Sequence, residues 1–243
     1  GGRTAQTATG GPGARSPARR AAGRRARGSD GRAATAGARY LPRKIAEIRR
    51  PEIVEALYRA IQSEGISLPS YDQVARHGEM SRQLIRHYFA RSEDMALMLC
   101  DTLAQTYRDC LMRGIVAADE SRRLPVFLDF YFDFLSEKGL PKPADDAVYD
   151  ALFALAGTNE KVRANLHGQY DLLQWTLAHE IQISHPGLHP AACRELGFLV
   201  VALMYGHWKM VATLGFSTSF NRVSRGAIDR LIASYLADYT PPE

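Results

Sequence analysis

Arg82, Gln83, Arg86 and His87 occupy the side of a short amphipathic stretch, SRQLIRHYF at 81–89, that Leu84, Ile85 and Phe89 leave free. Arginine and glutamine carry paired hydrogen-bonding groups that match guanine and adenine edges in the major groove. Basic side chains beside them can also hold phosphate. The chemistry these residues offer is recognition of a nucleic-acid duplex.

Two elements must position them. Ser70 is placed to cap a first short helix, in which Tyr71, Val74 and Ala75 make one apolar stripe at i, i+3 and i+4. Gly78 is the expected terminator, because glycine enters the left-handed region without a Cβ penalty. Met80 follows as an apolar plug, and Ser81 is placed to cap the second helix. The pattern over 70–89 is a helix-turn-helix with the polar residues of its second helix outward. Ser70, Tyr71, Ser81, Tyr88, Arg49, Arg50 and Arg91 are further contact candidates, chiefly for phosphate. Asp72 and Glu79 are acidic near the same surface and are expected to orient arginines.

The charge distribution agrees with a polyanion met at one end. The 243 residues carry a net +5. Residues 1–40 hold nine arginines, no lysine and one aspartate, a net of +8; residues 41–92 are net +3 and residues 93–243 net −6. The three cysteines, Cys100, Cys110 and Cys193, form no CxxC pair and suit a reducing, cytoplasmic compartment. The most apolar run, Leu196 to Tyr205, reads as too short for a membrane span, and no secretory pattern stands at the start. No phosphate-cradling glycine loop, HExxH or nucleophile elbow occurs, so neither an enzyme nor a cofactor is expected. His185, His189 and Cys193 have a metal-like spacing, but Pro186, Gly187 and Pro190 break the helix it would need; no metal is expected.

Val, Ile and Thr nowhere alternate with polar residues in a sustained run, so the fold class is all-α. Residues 1–40, rich in Gly, Ala, Arg, Pro, Ser and Thr, read as a disordered arginine-rich arm able to track phosphates. Residues 41–92 read as a three-helix DNA-binding domain, and 93–243 as a larger helical effector-binding and dimerisation domain. A first helix starts between Leu41 and Pro51 and runs to Ser63; if it starts near Pro42, Pro51 lies inside it and would kink it. Later helices are expected at 93–113 with Ser92 as cap, at 124–138 on an aromatic stripe, at 146–156, at 159–184, from Pro190 to Gly215, and at 224–239. An aromatic stripe is more often core than pocket. Phe127, Tyr131, Phe134, Tyr149, Phe153, Tyr170, Trp175 and Trp208, with His167 and Gln174 as polar partners, are nonetheless the ligand-binding candidates.

RRPEIVEALYRAIQSEG at 49–65 and VARHGEMSRQLIRHYFARSEDM at 74–95 resemble the first four helices of TetR-family regulators. The HYF ending before an acidic, apolar helix start is the sharpest local signature. LVVALMYGHWKMVATLG at 199–215 and AIDRLIASYL at 227–236 look like the last two helices of the BetI-like branch. The family often has glycine where Glu79 stands, tyrosine at Arg86 and lysine at Ser92, so base contacts must be read from this chain. The resemblance implies a homodimer joined through the last two helices, with one recognition helix per protomer in a palindromic operator, about 34–36 Å apart. It also implies an unidentified small-molecule effector that releases the DNA, most simply as a repressor. Other readings stay open at this point: an activator or global binder dominated by the arginine arm, or a helical small-molecule-binding protein or enzyme without specific DNA binding.

Overall fold

The computed structural model describes residues 41–65, 67–119 and 122–240. The arginine-rich arm at 1–40 lies outside them. Among the described residues the α-helices are α1 (Leu41–Glu64), α2 (Tyr71–Gly78), α3 (Arg82–Tyr88), α4 (Ser92–Val116), α5 (Arg123–Tyr131), α6 (Asp146–Ala156), α7 (Glu160–Ser184), α8 (Pro190–Trp208) and α9 (Phe220–Asp238). No strand occurs among them, as an all-α fold requires.

The first helix takes its longer form. It runs from Leu41 through Pro51, which has no N–H to offer the carbonyl of Glu47. Beyond Pro51 the stripe of Ile53, Val54, Leu57, Ala60 and Ile61 is buried, whereas Ile45 and Ile48 before it are exposed. Among the described side chains of α1, from Ile45 on, those that enter the core lie beyond Pro51.

The caps of the short helices follow from their sequence. The Gln73 N–H donates to Ser70 Oγ at 3.3 Å, and the Ser70 N–H donates to Gln73 Oε1 at 2.7 Å. This reciprocal box satisfies two donors that would otherwise be orphaned. Ser81 Oγ accepts from the Leu84 N–H at 3.1 Å and starts α3.

The turn between α2 and α3 differs from expectation. Gly78 stays helical, and Glu79 takes the left-handed conformation (φ 51°, ψ 40°). Gly78 is needed instead for close packing: a Cβ there would stand 2.9 Å from the Ala56 Cβ of α1 and would run into the Met80 side chain. The left-handed position thus holds a residue with a Cβ, at a cost of about 1–2 kcal/mol. Glu79→Gly is expected to raise stability by about 1 kcal/mol, read as a higher denaturant midpoint at unchanged slope. An unchanged midpoint would show that Glu79 is unstrained.

Other boundaries shift for identifiable reasons. Ser92 does not cap α4; it lies within the helix, and Arg91 holds the cap position without a side-chain bond. Glu93 and Asp94 fill the first turn, where carboxylates suit the helix dipole. The expected helix at 124–138 stops at Tyr131. Asp133 turns the chain in the left-handed region (φ 59°), and its Oδ1 accepts from the Lys142 N–H at 3.1 Å. Aspartate tolerates that conformation better than most residues. The turn buries Phe132 and leaves Phe134 exposed, and a short 3₁₀ turn, Ser136–Lys138, follows. Past α8 the helix widens into a π-turn at Lys209–Thr213. The continuous helix Pro190–Thr213 is thus 24 residues, long and apolar enough by length and composition to cross a membrane, which corrects the short-run reading. It packs against α7 and α9 and carries Arg194, Glu195 and Lys209, as a core helix does.

Two apolar cores result. One joins α1–α3 to the first half of α4, to α6 and to the start of α7; the other joins the end of α4 to α5, the second half of α7, α8 and α9. The first core crosses position 92 through Met95, Ala96, Leu99 and Val148, so the helix-turn-helix head rests on α6 rather than hanging from a linker. Cys100, Cys110 and Cys193 are buried and free.

Candidate DNA interface and ligand pocket

Ile85, fully buried, and Phe89 anchor α3 in the first core. This orients Arg82, Gln83, Arg86 and His87 outward, and all four are exposed. Their partners differ. Arg82 donates to Asp72 Oδ2 at 3.2 Å, the orienting role expected of that carboxylate. The Arg86 guanidinium lies 5.4 Å from the centre of the Tyr71 ring, and His87 meets Tyr88 edge-on. Tyr71 donates its hydroxyl to the Phe89 carbonyl at 3.0 Å, tying α2 to the end of α3.

The phosphate candidates divide into two groups. Arg50 sits over the Phe89 ring at 5.5 Å and Arg49 pairs with Glu52 at 2.7 Å, so α1 presents both beside the head. Ser70 and Ser81 are occupied as caps but sit exposed at the two helix N-termini. Arg91 is held by Asp94 and Glu93 at 3.1 and 2.8 Å; the hydrogen bond and charge of Asp94 lift its guanidinium further above its ordinary value. Glu93 is shared with α7, accepting from Lys161 and Asn159. Glu79 faces solvent at the turn. On α2 an exposed Arg76 pairs with Glu64, a cation beside the head that the pattern of α3 did not single out.

The larger core borders a partly open cavity of about 320 Å³ between α4, α5, α6, α7 and α8. Phe127, Tyr131, Tyr149, Tyr170 and Trp208 line it, as the sequence suggested. Phe134, Phe153, His167, Gln174 and Trp175 do not. Phe134 turns outward after Asp133, and Trp175 and His167 lie on the exposed side of α7. Gln174 bonds to Asp171 at 2.7 Å and faces the opposite side with Ala178 and Phe198. Phe153 stands behind the wall against Tyr170 and Tyr205. His185 and His189 cap helix ends, and Cys193 Sγ lies 3.3 Å from Gln182 Oε1.

Sequence reading missed the polar end of the cavity. It is built from Lys142 in the loop before α6, Asp146 at the start of α6, Tyr205 on α8 and Lys209 at the start of the π-turn that follows it. Lys142 is almost fully enclosed, donates to Asp146 Oδ2 at 2.9 Å and lies 4.1 Å from the Trp208 ring centre. Trp208 is itself fixed, donating to the Tyr131 carbonyl at 2.9 Å. Lys209 sits 5.1 Å from the Tyr205 ring and pairs with Asp150. A lysine in the proline-rich loop PKPAD gives no periodic signal; only the fold brings it here.

Behind this end, Asp145 is buried. Its Oδ1 accepts from the Tyr107 hydroxyl at 2.9 Å, while its Oδ2 has no partner. Burial pushes this carboxyl up to about 6, against the opposing pull of Lys142 and the Tyr107 bond. Between its ordinary 3.8 and about 6 the folded state binds more protons than the unfolded chain, so this group makes stability fall as pH rises through that window. Asp145→Asn is expected to flatten this part of a stability–pH profile. A slope that survives the substitution would mean another group carries it.

Together these features define a helical protein with an exposed polar face on α3 and a partly open, mostly apolar cavity in the larger core. The chain has the fold of TetR-family transcriptional regulators. It is similar to a TetR transcription regulator of Haloarcula marismortui (16% identity, 78% of this chain and 98% of that one, TM-score 0.66). It is also similar to a transcriptional regulator of Saccharomonospora viridis in complex with choline (19% identity, 77% and 96%, TM-score 0.62). A third similar structure is a multidrug binding protein complexed with malachite green (19% identity, 75% and 97%, TM-score 0.55). No protein-family model and no curated protein matches the sequence.

Proposed function

We propose that the protein is a DNA-binding transcriptional regulator, not an enzyme, that acts as a ligand-released repressor. The observation that carries this is α3: capped by Ser81, anchored by Ile85, and exposing Arg82, Gln83, Arg86 and His87 on one surface. Such a helix can enter a major groove and hydrogen-bond base edges. In this reading residues 41–92 form the DNA-binding head, 93–243 the effector and dimerisation body, and the arm at 1–40 adds contacts to phosphate. Buried, free thiols suit work in the cytoplasm.

Exposed apolar residues on the last helices support a homodimer that reads a palindrome. Phe198 on α8, Phe220 and Val223 on α9, and Leu214 between them are each about half exposed or more. Large apolar side chains left exposed on these helices are candidates for burial against a second copy. The neighbours solved with choline and malachite green support a small-molecule effector in the cavity. A route for coupling runs through the loop before α6. Lys142 and Asp146 face the cavity, while between them the Ala144 carbonyl accepts from Tyr58 and Gln62 of α1, at 3.4 Å each. Movement of that loop on ligand binding would shift the head, which is the two-state element that linkage requires.

Selection from random duplex DNA tests this. An inverted repeat with half-sites one helical turn apart is the expected product. Binding without sequence preference and with steep salt dependence would assign the interaction to the arginine arm instead.

A further inference from the structure

The polar end of the cavity offers more donors than acceptors. Lys142 uses two of its three ammonium protons, on the Pro143 carbonyl at 3.2 Å and on Asp146. Lys209 reaches Asp150 with one. Tyr131, Tyr149, Tyr170 and Tyr205 all line the cavity, and among the described residues their hydroxyls have no hydrogen-bond partner. Burial, above all, raises the phenols of Tyr131, Tyr149 and Tyr170, so they remain protonated donors. Asp146 is the one carboxylate among the described residues of the wall, and Lys142 already holds it.

Two of the aromatic faces at the polar end, those of Trp208 and Tyr205, are already taken by cations. The chain's own ammonium groups lie over Trp208 at 4.1 Å and over Tyr205 at 5.1 Å. A quaternary amine would have to displace Lys142 or Lys209 to gain a cation–π contact with either of these two rings, and would meet their positive charge at the polar end. The two lysines also bear on one another. Burial pulls the Lys209 ammonium below its ordinary value; Asp146 opposes this, and the charge of Lys142 adds to it. An anion between them would relieve that repulsion and accept the free donors, as a buried charge must if it is to be tolerated. The rest of the wall, including Leu111, Phe127, Leu173 and Met204, is mostly apolar, with Arg108, Gln169 and Thr176 as its further polar members.

We propose that this cavity takes an apolar monocarboxylate, with its carboxylate seated between Lys142 and Lys209 and its hydrocarbon body along the α4–α7–α8 wall. The assignment rests on the reading of the cavity as the effector site and names its ligand class. The carboxylate bridges the two ammonium groups and draws Lys142 toward the cavity, away from Asp146. The loop that carries Ala144 would then move with the ligand's head group.

Titration calorimetry on the full chain with decanoate, decanol and decyltrimethylammonium tests this, since the three probes share a chain and differ in charge. Decanoate is expected to bind at least tenfold more tightly than either of the others. Lys209→Met is expected to weaken decanoate about tenfold or more and decanol markedly less, the difference that losing a hydrogen bond to a charged rather than a neutral group produces. If decanol or the ammonium probe binds as tightly as decanoate, the cavity stands as a ligand site and the head-group assignment falls. If none of the three binds, the effector-site reading falls with it. The comparison among probes needs no variant, so a Lys209→Met chain that fails to fold would not rescue the proposal.

Discussion

Arg82→Ala combined with Gln83→Ala is expected to weaken binding to the selected operator by at least about 100-fold, with the melting temperature nearly unchanged. Both side chains are exposed on α3, and the buried face that holds the helix, Ile85 and Phe89, is untouched. Each good base contact discriminates by about 1–3 kcal/mol, and a two-fold complex loses every contact twice. The singles should differ. Gln83 has no protein partner among the described residues and sits free at the first turn, so its loss should relax sequence preference at one position per half-site. Arg82 is oriented by Asp72 at 3.2 Å. Asp72→Ala should therefore reproduce part of the Arg82→Ala loss, although removing an acid near DNA would otherwise strengthen binding. Fluorescence anisotropy with the operator and a scrambled duplex separates these effects. Equal weakening on both duplexes would reassign Arg82 and Gln83 to phosphate contact.

Much of the head could be read in advance because its signals are local. Caps at Ser70 and Ser81 and apolar spacings within one or two turns act between neighbours in sequence, and they survive in the fold. The turn departs from its local signal for a reason distant in sequence. Gly78 looked like the left-handed residue, but its missing Cβ serves the approach of α1, a contact 22 positions away in sequence at Ala56. The cavity was legible only in part, because a tyrosine in a helical stripe looks the same whether it faces a packed neighbour or open space. Phe127 and Tyr131 were found along with Phe134, and only the turn at Asp133 separates them. Tyr107, Lys142, Tyr205 and Lys209 gave no pattern, since they come together from three separate segments.

The packing of α7 on α8 makes the largest stability effect predictable. Gly197 is buried in α8, and a Cβ built on it would stand 2.5 Å from the Gln174 carbonyl oxygen and 3.2 Å from the Ala178 backbone nitrogen. Both obstacles are main chain of α7, so no rotamer change can relieve the clash. Gly197→Val is expected to cost about 2–4 kcal/mol, the upper range for overpacking, even after the roughly 0.5 kcal/mol that a better helix former returns. For a chain of this size that lowers the melting temperature by several degrees. The function should suffer beyond the stability. Gln169, Tyr170, Leu173 and Thr176 of α7 face Val201, Met204, Tyr205 and Trp208 of α8 across the cavity. Prying the helices apart one turn from this wall should change its volume and shift the tryptophan emission, to which Trp208 on the wall and Trp175 beside the clash both contribute. Gly168→Ala on α7 is the control, because nothing lies within 4 Å of a Cβ there. It should stabilise the protein by up to about 1 kcal/mol and leave the tryptophan signal alone. A Gly197→Val chain that melts with the wild type would mean the two helices can separate freely at this crossing, and the cavity between them would then lack the fixed wall that ligand selectivity needs.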